Sequence, residues 1–354
     1  MTFNDSLPYL TRMMRILRAT AAAVTIAATV VATSRADPNL ALVRRTALKK
    51  ASGRVDQVVP LPSGGFLVRD ADLLNEHTQA LEVYDASGRF IRKIGGFGPR
   101  PGSYQALKSI AVSGSTIWVA DLIGRLSFFD LQGKLLGTKL IQQPGYQVEG
   151  IVLDEARGHA YLSGCLPTHV YLDRGCKVVH QYSLQDKRYL RSFLDNDPQL
   201  QERNTIAFSD NSLDVDPQGM IWVVDAPVFK LLRVDPRTAK TQGFPIRSTT
   251  ARPIAKVEAG SNTQAIYESS YLLDRVLVAG GHTVVSIRVP KGGSGLLEVF
   301  DANGRQVATD LKPPGKLVGK TRDGRLLFVS ALKGGFEIGE YSLSLKTSRP
   351  QAGR

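Results

Sequence analysis

The sequence predicts an all-β protein: a six-bladed β-propeller of four-stranded antiparallel blades, with the ring closed by an N-terminal strand. Three observations predict it. A strand-like hexapeptide recurs six times, as GFLVRD (65–70), TIWVAD (116–121), HAYLSG (159–164), MIWVVD (220–225), TVVSIR (283–288) and RLLFVS (325–330). Turn residues stand before and after each copy. One surplus strand at the N-terminus answers one missing strand at the C-terminus.

The final positions of the hexapeptides are Asp70, Asp121, Gly164, Asp225, Arg288 and Ser330, spaced 51, 43, 61, 63 and 42 residues apart. Spacing of this kind is the mark of a repeat architecture. Before each copy lies a turn, such as Pro62-Ser63-Gly64-Gly65 or Asp216-Pro217-Gln218-Gly219, and before that another apolar strand. Gly and Asp supply the positive φ that tight hairpins need. After each copy comes a third strand: LEVYD (81–85), RLSFFD (125–130), KVVHQYSL (177–184), KLLRVD (230–235), LLEVFD (296–301) and FEIGEYSL (336–343). A fourth follows in five units, for example RFIRKI (89–94) and KLLGTKL (134–140). The sixth unit has none, because the chain after Leu345 is the polar KTSRPQAGR. The unassigned strand LALVRRTAL (40–48) fills that vacancy and closes the ring, which is how a propeller limits its open sheet edges. Helix signals are nearly absent; the one helix-like stretch runs from Asp197 to Arg203, in the connection before the fourth unit.

The chain of 354 residues is 43% hydrophobic, enough for a large core, and its 33 Gly and 18 Pro fit a turn-rich fold. Arg12, Arg15 and Arg18 precede a 15-residue apolar run, Ala19 to Thr33, followed by Ser34-Arg35-Ala36. These are the three parts of a secretory signal peptide, 1–36, with cleavage expected after Ala36. The run is short for a membrane span, which needs about 20 residues. The propeller then occupies 37–348 and a polar tail 349–354, and the location is periplasmic or secreted. The net charge is +13; residues 1–36 carry four Arg and one Asp, so the remainder holds +10. A basic surface attracts anionic partners. Its charges are scattered, so the expected partner is a protein or an anionic polymer and no nucleic acid, with the protein itself a monomer. Cys165 and Cys176 are the two cysteines. In an oxidising compartment they are expected to form a disulfide, closing a short loop and stabilising the fold by roughly 3 kcal/mol.

One unit carries a resemblance. Gly96-Phe97-Gly98, Pro101-Gly102-Ser103-Tyr104, Val119-Ala120-Asp121, Arg125 and Asp130-Leu131-Gln132-Gly133 stand in the order and wording of the NHL-repeat class of six-bladed propellers. Asp214 through Asp235, with Val223-Val224-Asp225, is the second-best match, and lacks the Pro-Gly-x-aromatic opening. The resemblance implies the propeller fold and a structural role for the second-strand Asp. It does not imply one activity, because such propellers serve as enzymes, ligand binders and docking platforms. Asp121 and Asp225 are accordingly read as caps of the turns that follow them, Asp85, Asp130, Asp235 and Asp301 as hairpin starters, and Trp118 and Trp222 as wedges between blades.

No catalytic constellation stands out. The chain has no Gly-x-Ser-x-Gly elbow and no Gly-x-x-x-x-Gly-Lys-Ser phosphate loop. The five histidines, His77, His159, His169, His180 and His282, include no pair at metal-ligand spacing. No cofactor or metal is therefore expected. The alternative is a hydrolase or lyase with an axial Ca2+, its oxygen ligands drawn from Asp56, Glu149, Asp214 and Glu268 on inner strands. The loops between second and third strands are long and polar, and ligand binding is expected there, beside the mouth of the central channel. Arg69, Glu76, His77, His169, Arg174 and Arg288 are the candidate ligand-binding residues, with Lys333 nearby. The favoured function is an exported, non-catalytic binding module or scaffold.

Overall fold

The computed structural model describes residues 37–49, 54–70, 80–122, 124–141, 148–165, 177–292 and 295–346. The chain forms six four-stranded antiparallel sheets. Blade one contains β2 (Val55–Pro60), β3 (Phe66–Asp70), β4 (Ala80–Tyr84) and β5 (Phe90–Ile94). Blade two contains β6 (Leu107–Ser113), β7 (Thr116–Asp121), β8 (Arg125–Asp130) and β9 (Leu135–Leu140). Blade three has β10 (Gly150–Asp154), β11 (His159–Ser163), β12 (Lys177–Ser183) and β13 (Tyr189–Asp195). Blade four has β14 (Asn211–Val215), β15 (Ile221–Asp225), β16 (Val228–Val234) and β17 (Thr241–Pro245). Blade five has β18 (Leu272–Ala279), β19 (His282–Arg288), β20 (Leu296–Phe300) and β21 (Gln306–Leu311). Blade six takes β22 (Lys316–Lys320), β23 (Leu326–Leu332) and β24 (Gly335–Lys346) from the C-terminal end, and its outer strand is β1 (Asp37–Leu48).

The ring thus closes where the sequence places the closure. β1 pairs with β24 from Asp37 opposite Lys346 to Leu48 opposite Phe336. Arg44 lies opposite Glu340 and donates to it from Nε at 2.6 Å, and Arg325, just before β23, approaches the same buried carboxylate at 3.4 Å.

The core is divided among the blade junctions, because each sheet buries both faces against its neighbours. Leu67, Leu81, Ile110 and Val119 join blades one and two. Trp118, Phe128, Ile151 and Leu162 join two and three, and Tyr161, Val179, Leu213 and Val223 join three and four. Trp222, Val224, Val276 and Val285 join four and five, Leu277, Val284, Leu326 and Phe328 join five and six, and Leu48, Phe66, Val318 and Leu327 close six onto one. Both tryptophans are wedges of this kind. Trp118 stands edge-on to Phe128 at 4.8 Å, and the indole N–H of Trp222 donates to Asp216 at 3.0 Å. Gly319 on β22 is required by close approach: a Cβ there would lie 2.1 Å from the carbonyl oxygen of Val58 on β2.

The best-preserved unit shows what its motif does. Asp121 accepts from the amides of Gln105 and Arg125 at 3.1 and 2.9 Å, and pairs with the buried Arg125 guanidinium at 2.8 Å. Arg125 donates onward to the carbonyls of Pro99 and Gly98 at 3.0 and 3.1 Å, clamping the Pro-Gly loop. The hydroxyl of Tyr104, the aromatic residue of that loop, accepts from the amide of Leu81 and donates to the carbonyl of Ile94, tying blade two to blade one. Asp85, Asp130 and Asp301 each accept amide N–H groups two and four residues on, and Asp235 accepts one two residues on, as hairpin starters do.

Two readings need correction. Asp225 does not repeat the role of Asp121. Only Ala226 and Pro227 separate it from β16, proline has no N–H to offer, and no arginine follows; Asp225 instead accepts from the hydroxyl of Ser209 at 3.1 Å. The helix expected within 197–203 is present as α1 (Gln199–Glu202), but a second one, α2 (Thr263–Ser269), precedes blade five. Asn262 caps it, its side chain accepting from the amide of Ala265. Glu268 lies on this helix, exposed and bonded to Gln264, and not on an inner strand.

Truncating a wedge leaves a cavity that a rigid ring cannot collapse. Trp222→Ala is expected to cost about 3–5 kcal/mol in chemical denaturation, whereas Leu136→Ala on the exposed outer strand of blade two should stay within about 0.5 kcal/mol. Similar costs for the two would contradict the junction as the seat of stability.

Candidate functional site

The inner strands β2, β6, β10, β14, β18 and β22 surround a cavity of about 400 Å3 that follows their length. Each inner strand is the edge of its sheet, so backbone groups on that edge need partners from outside the sheet. Neighbouring blades supply them. Gln57 of β2 accepts from the amide of Ile110 at 3.0 Å and donates to its carbonyl at 2.8 Å. The Ser109 hydroxyl accepts from the amide of Ile151, and the Ser163 hydroxyl donates to the carbonyl of Asn211. Ser212 accepts from the amide of Val276 and Asp214 from that of Val278 at 2.6 Å; Lys320 donates to the carbonyl of Val278. These polar stitches explain why hydrophilic residues interrupt the apolar runs of the inner strands.

At one end of the cavity the chemistry becomes charged. This is the mouth, where first strands begin and second strands end. β2, β6 and β18 each carry a register shift at their start, at Asp56, Lys108 and Asp274, a kind of bulge that re-aims a side chain. Asp56 is the centre of one group. Arg69 and Lys316 both donate to its carboxylate, Arg54 stands 4.0 Å away, and Arg275 donates to its backbone carbonyl at 3.0 Å. Burial opposes the charge on Asp56, but Arg69, Lys316 and Arg275 outweigh it and hold the carboxyl well below the usual range.

Across the channel is a second group. Glu149 accepts from Lys108 at 2.8 Å and faces Asp210. Burial pushes the Glu149 carboxyl up to about 8, Asp210 adds to the rise, and Lys108 only partly offsets it. Asp225, behind Asp210, is pushed up to about 7, by burial first and then by Asp210 and Asp197. Further along the cavity Asp214 pairs with Lys320 at 2.5 Å.

The candidate residues from the sequence divide as follows. Arg69 is buried at the mouth and lines the cavity, donating to Asp56 and to the carbonyl of Leu107 at 2.9 Å. Arg288 does not line it; its guanidinium lies over the ring of Tyr267, 3.6 Å from the centroid, and Tyr267 does border the cavity. Lys333 is exposed in the hairpin between β23 and β24. Glu76, His77, His169, Arg174 and Cys176 lie outside the described residues, so the expected Cys165–Cys176 bond does too. Of the four proposed oxygen ligands, Asp56, Glu149 and Asp214 line the channel, each against a lysine or arginine. Among the described residues no three His, Cys, Asp or Glu side chains converge as a metal-binding set. His180 is buried, with Nδ1 at 2.6 Å from the Ser192 hydroxyl and Nε2 at 3.1 Å from the Gly164 carbonyl; burial pushes its ring down to about 4. The mouth residues missed in the sequence are Arg54, Lys108, Asp210, Asp274, Arg275 and Lys316. Their signal was a charged residue at the start of an otherwise apolar first strand.

Comparison with solved structures gives the same architecture. A protein described as exported, from Bacteroides fragilis, superposes with a TM-score of 0.56 at 12% identity, over 89% of this chain and 96% of that one. The chain is a six-bladed β-propeller. A chain of a nidogen/laminin complex is similar with a TM-score of 0.50 at 14% identity, over 79% of this chain and 91% of that chain. A structure described as the extracellular domain of a hybrid two-component system from B. thetaiotaomicron is similar with a TM-score of 0.50 at 12% identity, over 84% of this chain and 35% of that one. At these identities the likeness is one of fold. No family model and no curated protein matches the sequence. Among the described residues no helix is long and apolar enough to cross a membrane.

The state of Glu149 has a sign that can be measured. Its folded value lies above the ordinary value of 4.5, so the stability it contributes is complete below about 4.5 and is lost as pH rises through about 8. Glu149→Gln should flatten the decline in unfolding free energy between pH 5 and 9 by about 1–3 kcal/mol. An unchanged slope in denaturant titrations would contradict the assignment.

Proposed function

We propose that this propeller is an exported, non-catalytic binding module that receives an anionic partner, a protein or a polymer, on the face that carries the channel mouth. One observation carries the reading. Among the described residues at the mouth, five bases, Arg54, Arg69, Lys108, Arg275 and Lys316, face four acids, Asp56, Glu149, Asp210 and Asp274. The bases outnumber the acids, so the mouth carries a net positive charge, and burial, which pushes the Glu149 carboxyl up, adds to it. The chain as a whole is also basic, at +13, which favours encounter with anions.

The polar groups of the channel are held by one another. Asp56 and Asp214 are neutralised by bases, and the hydroxyls of Ser109, Ser163 and Ser212 are bonded to backbone. This supports recognition by a rigid surface more than a reacting nucleophile. The signal-peptide pattern of residues 1–36 supports export, and the likeness to a protein described as exported agrees with it. The clamp of Asp121, Arg125 and the Gly98-Pro99 carbonyls supports an NHL-like ancestry for blade two.

The test is binding of the secreted chain to immobilised polyglutamate and dextran sulfate at low and high salt. Retention should fall with salt and fall further, at least tenfold, in an Arg54→Glu, Arg275→Glu double variant. Arg322→Glu at the opposite end of the channel should leave it within about twofold. Turnover of a substrate that disappears with EDTA, or equal effects of the two reversals, would overturn the reading.

A further inference from the structure

The group around Asp56 is unequal in charge. Among the described residues four cations gather at Asp56: Arg54, Arg69 and Lys316 at its carboxylate, and Arg275 at its backbone carbonyl. They come from three blades: Arg54 precedes β2 and Arg69 lies on β3 of blade one, Arg275 lies on β18 of blade five, and Lys316 on β22 of blade six. Among the described residues the other acids in reach are Asp70, which accepts the Arg54 amide at 3.0 Å, Asp274, exposed beside Arg275, and Asp210, which faces Glu149 and Lys108 across the mouth. Holding four like charges together is unfavourable unless anions sit among them. Asp56 supplies one. Its position marks where an oxyanion is recognised, and among the described residues it leaves part of the donor capacity of the group unused: Arg54 is 58% exposed and only within 4.0 Å of Asp56, and Arg275 gives its contact to the Asp56 carbonyl and not to the carboxylate. Arginine and lysine at this density are how proteins hold carboxylate and phosphate oxygens.

We infer that the cations around Asp56 form an oxyanion-binding subsite at the channel mouth, which takes a carboxylate, phosphate or sulfate group of a ligand, with Asp56 acting as the built-in competitor for the same donors. This rests on the proposed reading of the mouth face as the binding face and names the group recognised there. Arg54 and Arg275 close over the incoming oxyanion, Lys316 and Arg69 hold the floor, and the ligand's charge replaces part of what Asp56 now satisfies. The channel beyond, lined by Gln57, Ser109 and Ser212, accommodates polar atoms attached to that group.

The competitor role is what separates this subsite from a structural ion pair. If Asp56 only stabilises the fold, Asp56→Asn weakens the protein and does nothing for anions. If it competes, Asp56→Asn frees a unit of positive charge at the mouth and tightens anion binding.

The experiment is calorimetric titration of the secreted chain with sodium phosphate, sodium sulfate and sodium acetate at constant ionic strength. Wild type should bind at least one of the three measurably. Asp56→Asn should bind it at least tenfold more tightly, and Arg54→Met and Arg275→Met at least tenfold more weakly. The order of the three probes distinguishes a phosphate or sulfate ligand from a carboxylate one. Each variant is first checked for a cooperative melt; Arg54 is exposed, so Arg54→Met carries the test should Asp56→Asn fail to fold. Absence of binding in wild type, no change in Arg54→Met, or no gain in a folded Asp56→Asn would overturn the subsite. Retention on polyglutamate without any response to the small anions would overturn the subsite alone. Loss of both would also remove the reading of the mouth as an anion-binding face.

Discussion

Each blade presents one sheet edge to the channel, and that edge is the constraint on which the rest depends. An inner strand cannot leave its amides and carbonyls without partners in a narrow cavity. The chain meets this with side chains from the adjacent blade: Gln57 to Ile110, Ser109 to Ile151, Ser163 to Asn211, Ser212 to Val276 and Asp214 to Val278. Because the donors and acceptors belong to different blades, satisfying the edge also fixes the spacing of the blades. The apolar wedges at the junctions then pack against a frame that is already in register.

The charged mouth follows from the same geometry. Where β2, β6 and β18 begin, the register shifts, and Asp56, Lys108 and Asp274 stand at those irregularities. Bases from three blades converge on Asp56, while the carboxyls of Glu149 and Asp210 meet across the junction of blades three and four. One side of the mouth is thus held ionised by an excess of cations. The other is held partly protonated by burial and by the proximity of two acids. A propeller built from one repeated unit reaches this asymmetry because the residues at the starts of its inner strands differ in charge from blade to blade: Asp56, Lys108, Glu149, Asp210, Asp274 and Lys316.

Much of the architecture was legible in the sequence. The recurrence of TIWVAD and MIWVVD, the turn residues before each copy and the pairing of strand 40–48 with the incomplete sixth unit give the blade number and the closure. The site was legible only in part. Arg69 ends a recognisable second strand and could be placed at the mouth, but Arg54 lies 221 residues from Arg275 and 262 from Lys316, in three different repeats, and nothing local links them. Asp225 shows the limit of motif reasoning: it keeps the wording of Asp121, yet its turn is only Ala226-Pro227 long, and Phe229 stands where Arg125 follows Asp121 and gives it its role. The helix Thr263–Ser269 was missed because it is short and buries none of its residues, so it leaves no apolar period to read.

The central claim is that inner-edge backbone groups are satisfied by side chains of the neighbouring blade, and that this makes the ring one rigid frame. Native-state hydrogen exchange tests it most directly. The amides of Ile110, Ile151, Val276 and Val278 should exchange as slowly as the ladder amides of β7 and β15, and that of Ile151 should become selectively fast in Ser109→Ala. Fast exchange of these four amides in the native protein, at rates typical of an open sheet edge, would contradict the account.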